Sequence, residues 1–112
     1  MAAAYSPADR DDVAIDRGCG PAHVRAHYSP LETVLTISGD IDASNIEQIK
    51  ALVGQELVVE NSLRLDLSGV NFMAAGGPLI LIAVEEALRG IPLPWTMVTS
   101  PSVNRALRLG GW

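Results

Sequence analysis

The stretch Ser62-Leu-Arg-Leu-Asp-Leu-Ser-Gly-Val-Asn-Phe-Met-Ala-Ala-Gly-Gly77 decides how the rest of the chain is read. Leu63, Leu65 and Leu67 alternate with Arg64 and Asp66, the period of a strand with one face in water. Ser68-Gly69 ends that strand, and Gly76-Gly77-Pro78 opens a second apolar run. A strand that passes through a small-residue turn into a helix leaves the first N–H groups of the helix exposed. Recognition belongs at such a turn.

The apolar run from Pro78 to Arg89 has the density of a buried strand, but its punctuation is helical. Pro78 stands at a helix start, Glu85-Glu86-Ala87-Leu88-Arg89 continues the run, and Gly90 stops it. Upstream, Ala22 to Tyr28 alternates weakly, Ser29-Pro30 makes a turn, and Glu32 to Ser38 is a β-branched strand, so the two predict a hairpin. Gly39-Asp40-Ile41-Asp42 leads into a helix with Ile46, Ile49, Leu52 and Val53 on one stripe. Ser44 followed by Glu47 is the spacing of a capping box, with Asp42 as the alternative cap. Downstream come a strand, Trp95 to Thr99, and a helix capped by Ser100 with Pro101 at its first position, Val103, Ala106 and Leu107 inward, and Gly110 at its end. Strands alternating with helices imply mostly parallel pairing through right-handed crossovers. Residues 1–20 have no sustained period and many breakers, and are expected to be a flexible segment before a single domain at 21–112.

Composition narrows the function. A chain of 112 residues holds one domain and one core. Net charge is −5, and no basic stripe exists of the kind a phosphate backbone requires, so direct nucleic-acid binding is not expected. The uncharged stretch Gly69 to Val84 is interrupted by Asn71, two glycines and Pro78 and falls short of a membrane span. With no basic-then-apolar leader at the N-terminus and a lone cysteine, Cys19, a cytoplasmic protein is expected.

No residue set points to catalysis, and no cofactor is expected. His23 and His27 have the spacing of helical metal ligands, but on a strand they lie on the order of 13 Å apart. Cys19 sits in a Gly-rich segment with Arg17 its nearest base, a weak setting for a reactive thiolate. Gly76-Gly77 lacks the Lys and Ser/Thr of a P-loop. Trp95 and Trp112 are read as packing residues.

Three segments together resemble one family. Gly39-Asp40-Ile41-Asp42 is similar to a Gly-Glu-Leu-Asp motif, and Leu65-Asp-Leu-Ser-Gly-Val-Asn-Phe-Met73 to the segment before a phosphorylated Asp-Ser-Ser-Gly. Ser100-Pro-Ser-Val-Asn-Arg-Ala-Leu-Arg-Leu-Gly110 is similar to Ser-Pro-x-Val-x-Arg-x-Leu-x-x-x-Gly. In this order over residues 22–112 they resemble the STAS domains of anti-sigma factor antagonists. The resemblance implies an α/β fold, a mixed, mostly parallel sheet of about four strands with helices mainly on one face. It also implies that the family's final strand and helix are missing here. Val103, Leu107 and Leu109 are then expected to be only partly shielded and prone to self-association.

The implied function is binding an anti-sigma factor, often a serine kinase, so that a sigma factor is freed for transcription. In that family phosphorylation of the first motif serine adds roughly −1.5 to −2 charge and undoes the docking. Here the motif reads Ala74-Ala75-Gly76-Gly77, and Ala75, at the acceptor position, has no hydroxyl. The resemblance therefore implies a partner surface made of Asp40, Asp42, Phe72, Met73, Ala74, Ala75, Gly76, Gly77 and Pro78, without the phospho-switch. An alternative is a STAS module that binds a small anion or nucleotide at the helix start near Gly76. No basic residue lies within ten positions of Gly76, which favours protein docking.

Overall fold

The alternating segment Leu63–Asp66 lies in the interior of a six-stranded mixed sheet in a computed structural model that describes residues 12–59, 61–91 and 93–111. The elements in chain order are β1 (Asp12–Cys19), β2 (Ala22–Tyr28), β3 (Thr33–Ile41), α1 (Ile46–Glu56), β4 (Leu63–Asp66), β5 (Val70–Met73), α2 (Leu79–Ala87), β6 (Trp95–Val98) and α3 (Pro101–Leu109). The strand order is β1-β2-β3-β4-β6, with β5 also paired to β3. β1, β2 and β3 form an antiparallel meander, while β4, β5 and β6 join by parallel pairing. The expected hairpin of 22–28 with 32–38 is β2–β3, in the register Ala22↔Gly39 to Tyr28↔Thr33.

One face of this sheet is dry. Val24 and Ala26 of β2, Leu35 and Ile37 of β3, and Leu63 and Leu65 of β4 are buried, as are Ile46, Ile49, Leu52 and Val53 of α1 and Ile80, Leu81 and Val84 of α2. Burying one such side chain fully is worth about 1.5 to 3 kcal/mol, so this layer dominates the stability. The opposite face carries Arg25, Thr36, Arg64 and Asp66 toward water, and Glu32 meets Arg64 there at 3.0 Å. An exposed pair of that kind adds little.

Two expectations are corrected by the sheet. It has six strands rather than about four, because the chain contributes β1 and β5 as well. Residues 12–19, expected to be flexible, are β1; residues 1–11 lie outside the described residues. A bulge between Val13 and Ile15 shifts the register, so Ile15 and Cys19 reach the core from a strand without a clean period. On the open face Asp16 accepts from Arg25 at 3.2 Å and meets His23 at 2.5 Å, which ties β1 to β2.

α3 is held by its start. Ser100 is buried, its hydroxyl accepts from the Val103 amide at 3.3 Å and donates to the Val70 carbonyl at 2.7 Å, and Ser102 donates to the Asn71 carbonyl. This cap docks α3 on β5 and leaves Val103 fully buried, which corrects the expectation that Val103 would be only partly shielded. Leu107 is half-buried and Leu109 exposed.

Candidate functional site

β3 and β5 run parallel, with Gly39 opposite Val70, Asp40 opposite Phe72 and Ile41 opposite Met73. The Ala74 amide then donates to the Ile41 carbonyl at 2.8 Å. Two loops therefore leave the sheet side by side at the carboxyl ends of parallel strands, the place where open α/β sheets put their recognition surface. One loop carries Asp40 and Asp42, the other Ala74 to Pro78. The residues that the sequence placed in two motifs are brought together by strand pairing.

The first loop is built on Gly39 and Asn45. Gly39 has φ +89°, and a Cβ there would sit 2.4 Å from the Pro21 carbonyl oxygen, so a side chain is excluded on both counts. Asn45 is buried. Its Nδ2 donates to the Cys19 and Asp40 carbonyls, both at 2.9 Å, and its Oδ1 accepts from the Asp42 amide at 3.0 Å. This one side chain ties the β1–β2 turn to the acidic loop. Sequence reasoning passed over it, because a single Asn in a polar loop has no period to betray it. Asp42 accepts from the hydroxyl of Ser44 at 2.5 Å and from its amide at 2.9 Å. Those bonds, the hydroxyl first, hold its carboxyl below the usual aspartate range. The capping box expected of Ser44 and Glu47 is absent: Ser44 turns back to Asp42, and Glu47 pairs with Lys50 at 3.3 Å.

The second loop is tighter than its composition suggests. Gly77 donates to the Ala74 carbonyl at 2.8 Å, and Leu79, Ile80 and Leu81 donate to the carbonyls of Gly76, Gly77 and Pro78. The N–H groups expected to stand exposed at this helix start are thus largely used by its own turns. That removes the chief physical support for an anion site. A Cβ on Gly77 would lie 2.3 Å from Met73 Cγ, so this glycine marks a close approach of loop to strand.

The expected patch is consequently divided. Phe72, at 50% exposure, and Ala75 face solvent, whereas Met73, Gly77 and Pro78 are buried and form the floor of the loop. Ala74, Gly76, Asp40 and Asp42 are half-buried at its edge. Leu79 and Ile82, which the sequence reading counted simply as part of an apolar run, are 43% and 39% exposed and belong with the surface. They lie three residues apart on α2, while Ile80, Leu81 and Val84 take the core. The clue was there: six consecutive apolar positions, Leu79 to Val84, are too many for one helix face.

Other candidates fall away. Burial pushes the Cys19 thiol up, against a reactive thiolate. His23 and His27 both lie on β2, as the alternation required. Among the described residues no group of three or more His, Cys, Asp or Glu could hold a metal ion, and no helix is long and apolar enough to cross a membrane. Trp112 lies outside the described residues.

The fold is a mixed α/β sheet with two loops side by side at the ends of its parallel strands, and the STAS domain family model matches residues 23–111. The chain belongs to the STAS domain family. It is 38% identical over 92 residues to Osmosensory protein A of Mycobacterium tuberculosis, a match that covers 82% of this chain and 57% of that protein. Its fold is similar to that of an anti-sigma factor antagonist from Mycobacterium paratuberculosis, with a TM-score of 0.57 at 23% identity, covering 92% of this chain and 80% of that one. It is also similar to the antagonist SpoIIAA in its unphosphorylated form, with a TM-score of 0.54 at 20% identity over 70% of this chain and 71% of the other.

Proposed function

We propose that this chain is an anti-sigma factor antagonist that docks on an anti-sigma factor or a related serine kinase and so frees a sigma factor. The observation that carries this reading is that Phe72, Ala75, Leu79 and Ile82 are exposed along the segment from β5 into α2, whose strand pairs with the one that bears the acidic loop of Asp40 and Asp42. An exposed cluster of that kind suits a protein partner, with burial for affinity and carboxylates at the edge for orientation. Ala75 stands exposed where the family's acceptor serine would be and has no oxygen to accept a phosphoryl group. The protein therefore binds constitutively, and its control lies in its amount or in its partner. Its action is binding rather than catalysis, in the cytoplasm where sigma factors work. The similarity to Osmosensory protein A supports osmotic response as the setting.

The test is capture of binding proteins from the source cell by the wild-type chain and by Gly76→Glu, with identification by mass spectrometry. An anti-sigma factor held by the first and lost by the second is the expected result. Retention of the same partner by the folded variant would move the surface elsewhere.

A further inference from the structure

The two stretches that build the docking surface carry charge of one sign. Residues 26–49, with β3 and its loop, and residues 65–88, with β5 and α2, hold seven Asp and Glu and no Lys or Arg. Three of those seven acids are met by cations from outside the stretches. Glu32 pairs with Arg64 at 3.0 Å, Glu47 with Lys50 at 3.3 Å and Glu86 with Arg89 at 3.9 Å. Asp66 shares the open sheet face with Arg25 and Arg64. Asp40, Asp42 and Glu85 form no ion pair among the described residues.

These three carboxylates stand beside the exposed apolar residues. Asp40 is opposite Phe72 in the parallel register of β3 and β5, so the two side chains share a face of the sheet. Glu85 is exposed three residues beyond Ile82 on α2, the spacing of surface neighbours on a helix. Asp42 accepts two bonds from Ser44, which favour its charged form. An uncompensated charge at an apolar rim attracts a partner of opposite sign before contact and turns away one of like sign.

We infer that the partner meets this surface with Lys and Arg bordering its own apolar contact, and that attraction between the two rims sets the rate of association. The inference rests on the docking surface proposed above and names the chemistry of its occupant. Acids flank the exposed apolar segment near both ends, at Phe72 and at Ile82, so a neutral or acidic partner would strip water from them with nothing in return. The same sign of charge turns away nucleic acid and anionic membranes, which leaves a basic protein face.

The experiment measures association and dissociation rates by stopped flow, with the anti-sigma factor captured by the wild-type chain as the probe. Wild type is compared with Asp40→Asn, Glu85→Gln and with Glu32→Gln, Glu56→Gln, a double variant that removes the same charge away from the surface. Salt is varied from about 0.01 M to about 1 M, over which the screening length falls from about 30 Å to about 3 Å. Circular dichroism checks that both variants fold. Wild-type association should slow at least about tenfold as salt rises. Asp40→Asn, Glu85→Gln should be slower at low salt by a factor of about three to ten and respond less to salt, with dissociation changed far less. Glu32→Gln, Glu56→Gln should stay near wild type. Association indifferent to salt, equal slowing in both double variants, or a change confined to dissociation would each overturn the inference. Gly76→Glu, run on the same probe, separates this from the docking surface: its loss of binding upholds that surface whatever the rates show, and its retention removes the surface and this inference with it.

Discussion

Asp40 and Phe72 are register partners in the parallel β3–β5 pairing, so the acidic loop and the apolar loop are fixed to each other by main-chain bonds. The two halves of the proposed surface are joined to each other by backbone pairing, while the Asn45 side chain anchors the acidic half to the β1–β2 turn. The loops can therefore be tested separately, since a substitution on the exposed side of one leaves the ladder intact.

Neighbouring glycines should behave in opposite ways. A Cβ on Gly76 would meet only Ile46 Cδ1 at 3.4 Å, an ordinary contact, so Gly76→Glu is expected to fold normally. A charge driven into an apolar interface without a counter-ion costs several kcal/mol, and partner affinity should fall about a thousandfold. Gly77→Ala instead drives a methyl into Met73 and should destabilise the fold by about 1 to 3 kcal/mol. Urea melts and binding isotherms of both variants separate the two effects.

Asn45→Ala removes three hydrogen bonds from a buried site and leaves the Cys19 and Asp40 carbonyls and the Asp42 amide without this partner. An unsatisfied buried group costs about 1 to 3 kcal/mol, so the loss should be at least of that size. Binding should weaken as well, because the Asp40–Asp42 loop loses its tie to the β1–β2 turn. A midpoint in chemical denaturation unchanged from wild type would show that the clamp contributes nothing.

Incubation with a serine kinase of the anti-sigma type and ATP should leave residues 74 to 77 unmodified, as read by intact mass and peptide mapping. Ala75→Ser restores an exposed hydroxyl and is expected to become a substrate whose phosphorylated form releases the partner. A phosphate mapped instead to Ser68, Thr99 or Ser100 of the wild-type chain would show that the switch has moved rather than vanished.

Acid should weaken the fold through aspartates held below their usual pKa, Asp42 and Asp66 among them. Hydrogen bonds from Ser44 to Asp42 and from Ser68 to Asp66, the hydroxyl first in each case, hold both carboxyls below the usual value of 3.8. A folded pKa below the unfolded one gives stability that is present above the unfolded value and lost as pH falls through the folded one. Denaturation midpoints should thus decline below about pH 4, and less steeply in the Asp42→Asn, Asp66→Asn double variant. Both carboxylates are exposed enough for solvent to screen them, so the decline should be shallow. A midpoint that rises on acidification would reverse the sign of this argument.

Much of the architecture was legible because single faces of strands and helices impose a period. Leu63 to Leu67, Glu32 to Ser38 and the stripe Ile46, Ile49, Leu52 and Val53 show theirs plainly, and Ser100-Pro101 announces a helix by its chemistry. β1 was not legible because its bulge breaks the alternation between Val13 and Ile15. β5 was hidden for another reason. Ser68-Gly69 reads as a terminator, yet the Gly39 amide donates to the Gly69 carbonyl at 3.0 Å and the chain resumes pairing with β3 at Val70. Of the candidate site, the loop positions were readable from motifs. Which side chains face outward was not, since Met73 and Pro78 are as apolar as Phe72 and Leu79 and only packing sorts them.

The most direct test of the docking surface is hydrogen exchange of the full chain, free and bound to the anti-sigma factor captured from its own cell. Slowed exchange in the complex over residues 39–45 and 72–82, with the outer strand β1 unchanged, is the expected result. Exchange unaltered in both loops while protection appears on the open sheet face would contradict the account.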